Sequence, residues 1–195
     1  MSAPRIIGVT GGSGSGKSTL SRELERRGWL FLDCDAIYHH LLKTDPSLLA
    51  AIESRFPGTV AEGILDRKKL GTIVFSDENA LLDLNAITHA AVKAEVLRRL
   101  ESCRTGAVID AIGLFEGGLA ELCDITVAVT APEEMRVQRL MARDGISEDY
   151  ARSRIAAQHS DDWFRGRCHY ILVNDGKLDA AATKYIDFFQ KAGIM

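Results

Sequence analysis

Short apolar runs alternate along this chain with longer stretches in which apolar residues recur every three or four positions. The runs are rich in β-branched residues, and most end at or just before glycine or aspartate, which is typical of buried parallel strands that lead into loops. Five such strands, separated by helical stretches, predict an α/β fold with a parallel sheet. The runs lie at residues 5–10, 29–33, 106–110, 124–129 and 170–174.

Two long segments between the runs have a helical character. Residues 36–100 contain no comparable strand run, but they carry helical patterns at 80–86 and 90–100, and we therefore expect a helical insertion. Residues 132–167 are helical in pattern and rich in arginine. An arginine-rich helical stretch of this kind can close over a bound ligand and exclude water, so it is predicted to be a lid.

The composition limits the class of protein. The chain has 195 residues, 46% hydrophobic and 26% charged, with a formal net charge of -3. This length suits a single domain, 1–195, and the acidic balance gives no field that would attract nucleic acid. No stretch approaches the about 18 apolar residues of a membrane span, and the first strand starts too early for a signal peptide. We expect a cytoplasmic protein without a membrane partner; the oligomeric state is not indicated.

The glycine-rich segment after the first strand carries the strongest chemical signal. Residues 11–18 match the phosphate-loop pattern G-x-x-x-x-G-K-[ST], between a predicted strand and a helical stretch at 18–27. Backbone N–H groups and the helix dipole would hold a phosphate, Lys17 would contact the β- and γ-phosphates of ATP, and Ser18 would bind Mg²⁺. The predicted ATP-binding residues of this loop are Gly12, Ser13, Gly14, Ser15, Gly16, Lys17, Ser18 and Thr19.

A phosphate loop alone does not separate kinases from other nucleotide-binding proteins, because they share this loop and differ in what meets the γ-phosphate. A GTPase is expected to carry N-K-x-D for guanine, and the chain has no such sequence. The loop therefore leaves open a kinase of a small metabolite, a nucleoside or nucleotide kinase, and a non-catalytic nucleotide-binding module.

Carboxylates follow two of the predicted strands. Asp33 and Asp35 lie at the end of the second strand, on the edge of the sheet where α/β proteins bind ligands. Asp35 would accept the proton of an attacking hydroxyl, or it would cap the following helix. Asp110 ends another strand and resembles a Walker B carboxylate that holds Mg²⁺ through water, with an ordinary strand-end aspartate as an equal alternative.

Nine short segments form an ordered series that covers nearly the whole chain. They are I-I-G-V-T-G-G-S-G-S-G-K-S-T, D-C-D-A-I-Y-H, L-D-R with Leu70, V-F at 74–75, L-F-E at 114–116, Arg139, R-D-G at 143–145, A-Q at 157–158 and N-D-G at 174–176. This series resembles the dephospho-CoA kinase family. The resemblance implies a P-loop NTPase-type five-stranded parallel sheet flanked by helices, with a helical acceptor-binding insertion and a helical lid. It also implies that ATP and Mg²⁺ are used to phosphorylate the ribose 3′-hydroxyl of dephospho-CoA.

The same resemblance assigns individual residues. It implies that Asp35 and Lys17 are catalytic. The chain departs from the family at Ala90, where proline is usual, at Ile112 and Gly113 instead of Pro-Leu, and at C-H instead of A-D before the last strand. The residues implied to bind the acceptor substrate are Asp35, His39, Arg67, His89, Leu114, Phe115 and Glu116.

Two arginines of the predicted lid are candidate ATP ligands. Arg139 and Arg143 are four residues apart, so on a helix they would share one face and reach a single triphosphate. The alternative for both is a salt bridge with a nearby acidic residue. Asn174, after the last strand, would contact adenine, as the resemblance implies; by itself it is a turn residue.

Overall fold

The computed structural model describes residues 5–176, 178–191 and 193. The strands are β1 (Arg5–Thr10), β2 (Leu30–Asp33), β3 (Val60–Ala61), β4 (Ile64–Leu65), β5 (Gly106–Asp110), β6 (Ile125–Thr130) and β7 (Tyr170–Val173). The helices are α1 (Lys17–Arg26), α2 (Cys34–Thr44), α3 (Pro46–Arg55), α4 (Arg67–Val74), α5 (Glu78–Leu100), α6 (Glu133–Asp144), α7 (Glu148–Ala156), α8 (Asp161–Arg165) and α9 (Leu178–Lys191), with a short 3-10 helix at Ala120–Leu122.

The main sheet confirms the predicted architecture. Five parallel strands pair in the order β2-β5-β1-β6-β7, and each lies within one residue of its predicted bounds. The central strand β1 is buried from Ile7 to Thr10 and pairs with β5 on one side and β6 on the other. This burial on both faces explains the continuous apolar pattern of the run.

The helical insertion was predicted correctly in kind, with two differences. The two patterns at 80–86 and 90–100 belong to one helix, α5, of 23 residues. Ala90 lies inside it, where a proline would remove a backbone hydrogen bond and kink the helix. The strands β3 and β4 form a two-residue antiparallel hairpin that the sequence did not indicate, because strands this short show no alternation.

Two apolar layers cover the sheet. On one face, α1 and α9 pack against the strands, with Leu20, Leu24, Tyr185 and Phe189 nearly fully buried. On the other face lie the helices of the insertion, α2 to α5. A third small cluster joins α6 to α7. The lid segment therefore has its own apolar contacts.

Parallel pairing brings several loops to one edge of the sheet. The phosphate loop leaves β1 at this edge, Asp33 ends β2 with Asp35 two residues later, and Ala111 follows β5. Helix α6 begins shortly after β6. Among the described residues, each helix is too short or too polar to cross a lipid bilayer.

Candidate active site

The phosphate loop opens into a cavity of about 520 Å³ at the start of α1. Gly16 precedes α1 with φ +97°, a conformation that favours glycine, and in the described chain no side chain caps this helix. The first N–H groups of α1 are therefore available to an anion. The cavity is lined by Gly14, Gly16, Lys17, Ser18, Thr19, Arg22, Arg139, Ala142 and Arg143.

Lys17 lies beside a buried carboxylate. Its Nζ atom is 4.0 Å from Asp110 Oδ1, and Ser21 donates a hydrogen bond of 2.9 Å to Asp110 Oδ2. Asp110 is only 7% exposed. Burial raises the pKa of this carboxyl group, against the opposing effects of Lys17 and Ser21. The strand-end aspartate is thus placed behind the lysine of the phosphate loop.

The phosphate loop is also held by the lid segment, through contacts that the sequence did not indicate. Ser13 N–H donates to Gln158 Oε1 at 2.9 Å, and Gln158 Nε2 donates to Ser13 Oγ at 2.8 Å. Arg136 Nε donates to the Ser13 carbonyl at 3.0 Å. A Cβ atom at Gly12 would meet the guanidinium group of Arg136, so a larger residue here would have to displace that arginine from the loop.

Arg139 and Asn174 support the same loop from another side. Arg139 Nη1 donates to the carbonyl oxygens of Gly14 at 3.1 Å and Ser15 at 3.4 Å, and Asn174 Nδ2 donates to the Ser15 carbonyl at 2.8 Å. Arg139 Nη2 donates to Asn174 Oδ1 at 3.4 Å. Asn174 is 1% exposed. The side-chain amide of Asn174 therefore forms its hydrogen bonds with the phosphate loop and Arg139. Its direct contact with adenine stays a prediction.

Arg143 lines the phosphate-loop cavity together with Arg139, as their spacing predicted. Its guanidinium group is mostly exposed and donates to both carboxylate oxygens of Asp144. The hydrogen bond to Asp144 is the main cause that raises the pKa of Arg143, and Asp35 adds to it through its charge. The arginine is thus charged and borders the cavity.

The two aspartates after β2 have different environments. Asp33 accepts a hydrogen bond of 2.9 Å from the N–H of Ala36 and is the N-cap of α2. Asp35 lies in the first turn of α2, is exposed, and faces a second cavity. The cap role that was an alternative for Asp35 is therefore performed by Asp33.

The second cavity, of about 150 Å³, lies between α2, α5 and the segment after β5. It brings together two predicted substrate-binding residues, Asp35 and His89. Burial raises the pKa of the Cys34 thiol to about 12, so this thiol is uncharged at neutral pH. The other lining residues are Cys34, Tyr38, Thr88, Val92, Ala111, Ile112, Gly113, Gly117 and Leu119.

The remaining predicted acceptor residues fall into two groups and one isolated position. His39 and Arg67 contact each other, with 3.3 Å between Nδ1 and Nη2. Phe115 and Glu116 follow β5 and contact the lid segment. Leu114 is fully buried in the core and lines neither cavity. The other four residues also line neither cavity, so the contact of all five with substrate stays a prediction.

The lid residues Arg136 and Gln158 were missed as site residues. Arg136 lies three residues before Arg139 in α6, and Gln158 belongs to a segment that carried the family resemblance. These were the available signals, but a buried arginine that holds a backbone carbonyl has no distinctive spacing. His159 has no partner spacing that indicates a role, and a tryptophan such as Trp163 is more often a core residue than a binding platform.

Comparisons with known proteins agree with this geometry. A sequence model described as dephospho-CoA kinase matches residues 5–180. The chain belongs to the dephospho-CoA kinase family. A dephospho-CoA kinase from Corynebacterium diphtheriae is 39% identical over 193 residues, which cover 96% of each chain. The resemblance inferred from the sequence motifs is thereby confirmed.

Solved structures give the same fold. The protein TT1252 from Thermus thermophilus has a TM-score of 0.81 and 34% identity, over 97% of this chain and 98% of that one. A dephospho-CoA kinase from Campylobacter jejuni has a TM-score of 0.60 and 23% identity, over the same shares of the two chains, and supports the fold.

The structure locates the residues at which this chain departs from the pattern of the dephospho-CoA kinase family. Ile112 and Gly113 line the cavity that contains Asp35, so this change alters its wall. Before the last strand, His169 Nδ1 accepts a hydrogen bond of 3.0 Å from the N–H of Thr126. A carboxylate at that position is also an acceptor. In this chain the histidine is the acceptor for that backbone group.

Proposed function

We propose that the chain transfers the γ-phosphoryl group of ATP to the ribose 3′-hydroxyl of dephospho-CoA, giving coenzyme A and ADP. The observation that carries the proposal is the pairing of two cavities at one sheet edge in a chain of this family. One cavity is built on the phosphate loop, and the other contains Asp35. Between them, the bond from phosphorus to the 3′-oxygen forms as the bond to the β,γ-bridging oxygen of ATP breaks.

The phosphate-loop cavity would hold the triphosphate. The free N–H groups at the start of α1 and the Lys17 ammonium group bind the β- and γ-phosphates. Arg143, whose guanidinium group borders the cavity, adds positive charge near the transferred group. Arg139 acts mainly by fixing the backbone of Gly14 and Ser15. These donors stabilise the negative charge of the transition state.

The oxygen donors of this cavity fit Mg²⁺. The Ser18 hydroxyl is exposed at the cavity, and the Asp110 carboxylate lies behind Lys17. Within the described residues there is no cluster of three acidic, histidine or cysteine ligands, which suits an ion that takes one or two protein ligands besides water and phosphate oxygens. When bound, Mg²⁺ neutralises charge on the β- and γ-phosphates.

Asp35 would act on the acceptor. Its carboxylate is exposed, does not cap α2, and faces the cavity that His89 also lines. There it accepts the proton of the 3′-hydroxyl as the oxygen attacks phosphorus. His39 and Arg67, which contact each other, offer a basic pair for a phosphate of the acceptor. The cytoplasmic location, the single domain and the absence of a nucleic-acid partner stay predictions.

Thermal unfolding with separate ligands tests this proposal. A ligand that binds only the folded state raises its stability, so dephospho-CoA at about 100 times its dissociation constant should raise Tm by roughly 5–10 °C. Adenosine, cytidine and uridine at the same concentration should leave Tm unchanged. Stabilisation by the nucleosides but not by dephospho-CoA would replace the proposed acceptor with a nucleoside.

A further inference from the structure

Ser13 of the phosphate loop is bonded to the lid segment through all three of its polar groups. Gln158 exchanges two hydrogen bonds with its N–H and hydroxyl, and Arg136 donates to its carbonyl. Arg136 Nη2 also donates to Gln158 Oε1 at 3.0 Å, which closes the network. Ser13 and Arg136 are 5% and 7% exposed. Because these groups are buried, losing one partner leaves a polar atom without compensation.

The next residue in the chain contacts the acceptor side. His159 Nε2 donates to the Glu116 carboxylate, and the imidazole ring stacks on Trp163, with the centroids 3.7 Å apart and the planes 1° from parallel. Trp163 packs edge-on against Phe115 at 5.4 Å. Phe115 and Glu116 belong to the segment that follows β5 and continues from the Asp35 cavity wall.

We propose that the adjacent residues Gln158 and His159 couple the nucleotide site to the acceptor site. Ser13 follows β1 and Glu116 follows β5, and one peptide unit joins the two residues that hold them. A phosphate loop fixed by nucleotide keeps Gln158 in place, and Gln158 then keeps His159 against Glu116 and Phe115. Gln158 and His159 are positioning residues, since their contacts are with the loops.

This coupling must be reciprocal. If bound nucleotide raises the affinity for the acceptor by some factor, the acceptor raises the affinity for nucleotide by the same factor. The proposal rests on the proposed function, because it takes dephospho-CoA as the acceptor. A purely structural role for the two side chains would change Tm, but it would not change this factor.

Calorimetric titration of the full chain tests the coupling. The dissociation constant of dephospho-CoA is measured with and without a non-hydrolysable ATP analogue and Mg²⁺, and the ratio of the two values is the coupling factor. We expect a factor of at least about 5 in the unmodified chain. Gln158→Leu and His159→Ala should each bring it close to one, and the double variant should lose no more than either single variant.

Two further variants make the comparison specific. His159→Gln keeps a donor for Glu116 and should retain part of the coupling. Arg152→Gln removes exposed ion pairs that join Arg152 of α7 to Glu133 and Glu134 of α6, and it touches neither end of the connection. It should lower Tm and leave the coupling factor unchanged. This result would separate a loss of stability in the lid segment from a loss of coupling.

The outcomes distinguish this proposal from the proposed function. Binding of dephospho-CoA with a coupling factor that Gln158→Leu and His159→Ala do not change would overturn the coupling and leave the proposed function intact. A coupling factor of one in the unmodified chain would also overturn the coupling and leave the proposed function intact. Failure of dephospho-CoA to bind, with or without the analogue, would overturn both.

Discussion

At the scale of single residues, the two aspartates after β2 separate capping from chemistry. Asp33 accepts a hydrogen bond from the N–H of Ala36, whereas Asp35 is exposed at the cavity that His89 also lines. We expect Asp35→Asn to lower kcat by about 10²- to 10⁴-fold, the usual contribution of a general base. ATP binding should be retained, since Asp35 does not line the phosphate-loop cavity. Steady-state kinetics with nucleotide titration measures both quantities.

Asp33→Asn is the matched control for this prediction. Asparagine caps helices about as well as aspartate, so the start of α2 is preserved and kcat should change by only a few-fold. Normal turnover in Asp35→Asn would remove Asp35 from the reaction. An equal loss in both variants would indicate that the local negative charge matters, whichever aspartate carries it.

Asp110 illustrates a cost in stability at a functional position. Its pKa is raised because burial outweighs the attraction of Lys17, so the folded state binds this proton more tightly than the unfolded state. The ionised carboxylate therefore lowers stability above the folded pKa. Asp110→Asn should raise Tm at pH 7 by about 2–4 °C for each kcal/mol of burial cost removed, while it lowers turnover.

The pH dependence checks the sign of this effect. As pH falls toward the unfolded pKa of about 3.9, Asp110 takes up a proton in the folded state first and then in the unfolded state, so the difference in Tm should shrink toward zero. Scanning calorimetry of the two proteins from pH 7 to pH 4 measures it. A difference that grows as the pH falls would mean that the ionised carboxylate stabilises the fold.

The residue scale also shows how far sequence reasoning extends. The phosphate loop could be predicted because its conformation follows from neighbouring glycines in one short segment. Arg139 and Asn174 were placed near the nucleotide, but their hydrogen bonds to Gly14 and Ser15 depend on elements far apart in the chain. The polar contacts of Ser13 with Arg136 and Gln158 could not be predicted, for the same reason.

At the scale of elements, the residue just before β7 is joined to β6 through its side chain. The ring of His169 accepts a hydrogen bond from a backbone N–H group of β6. His169 Nδ1 accepts from the N–H of Thr126 at 3.0 Å, and the Thr126 Oγ1 atom lies 2.8 Å from the same nitrogen. Thr126 is 3% exposed. His169→Ala should therefore leave a buried donor unpaired and lower stability by about 1–3 kcal/mol, or roughly 2–10 °C in Tm.

His169→Asp provides the comparison, since a carboxylate can accept the same hydrogen bond. We expect its Tm to stay near that of the unmodified chain, and turnover at 25 °C to be normal in both variants because His169 lines neither cavity. Thermal unfolding measures the first quantity and ADP release the second. An unchanged Tm in His169→Ala would show that water replaces the histidine at no cost.

Elements were predictable where burial imposes a pattern. The three inner strands of the main sheet, β5, β1 and β6, are buried along most of their length, and the two edge strands still carry short apolar runs, so all five were found. The β3–β4 hairpin has two residues per strand and leaves no pattern. The single helix α5 was divided in two because the polar residues Thr88 and His89 separate the two apolar patterns, although Ala90 lets the backbone continue.

At the scale of the whole molecule, the sheet places the phosphate loop, the cavity that contains Asp35 and the lid segment at one edge. The fold class and this common edge could be predicted, because parallel strands bring their carboxyl ends together. The family resemblance indicated the acceptor, since no composition or spacing specifies dephospho-CoA. Contacts between the lid segment and the two sites were beyond prediction, because they join segments more than 40 residues apart.

The most direct test of the account is ATP turnover by the full chain with Mg²⁺, measured as ADP release with dephospho-CoA, adenosine, cytidine or uridine as acceptor. The account predicts a rate with dephospho-CoA that exceeds the rate with each nucleoside by at least about 100-fold. Equal rates with all acceptors, or no release with dephospho-CoA while ATP still binds, would contradict it.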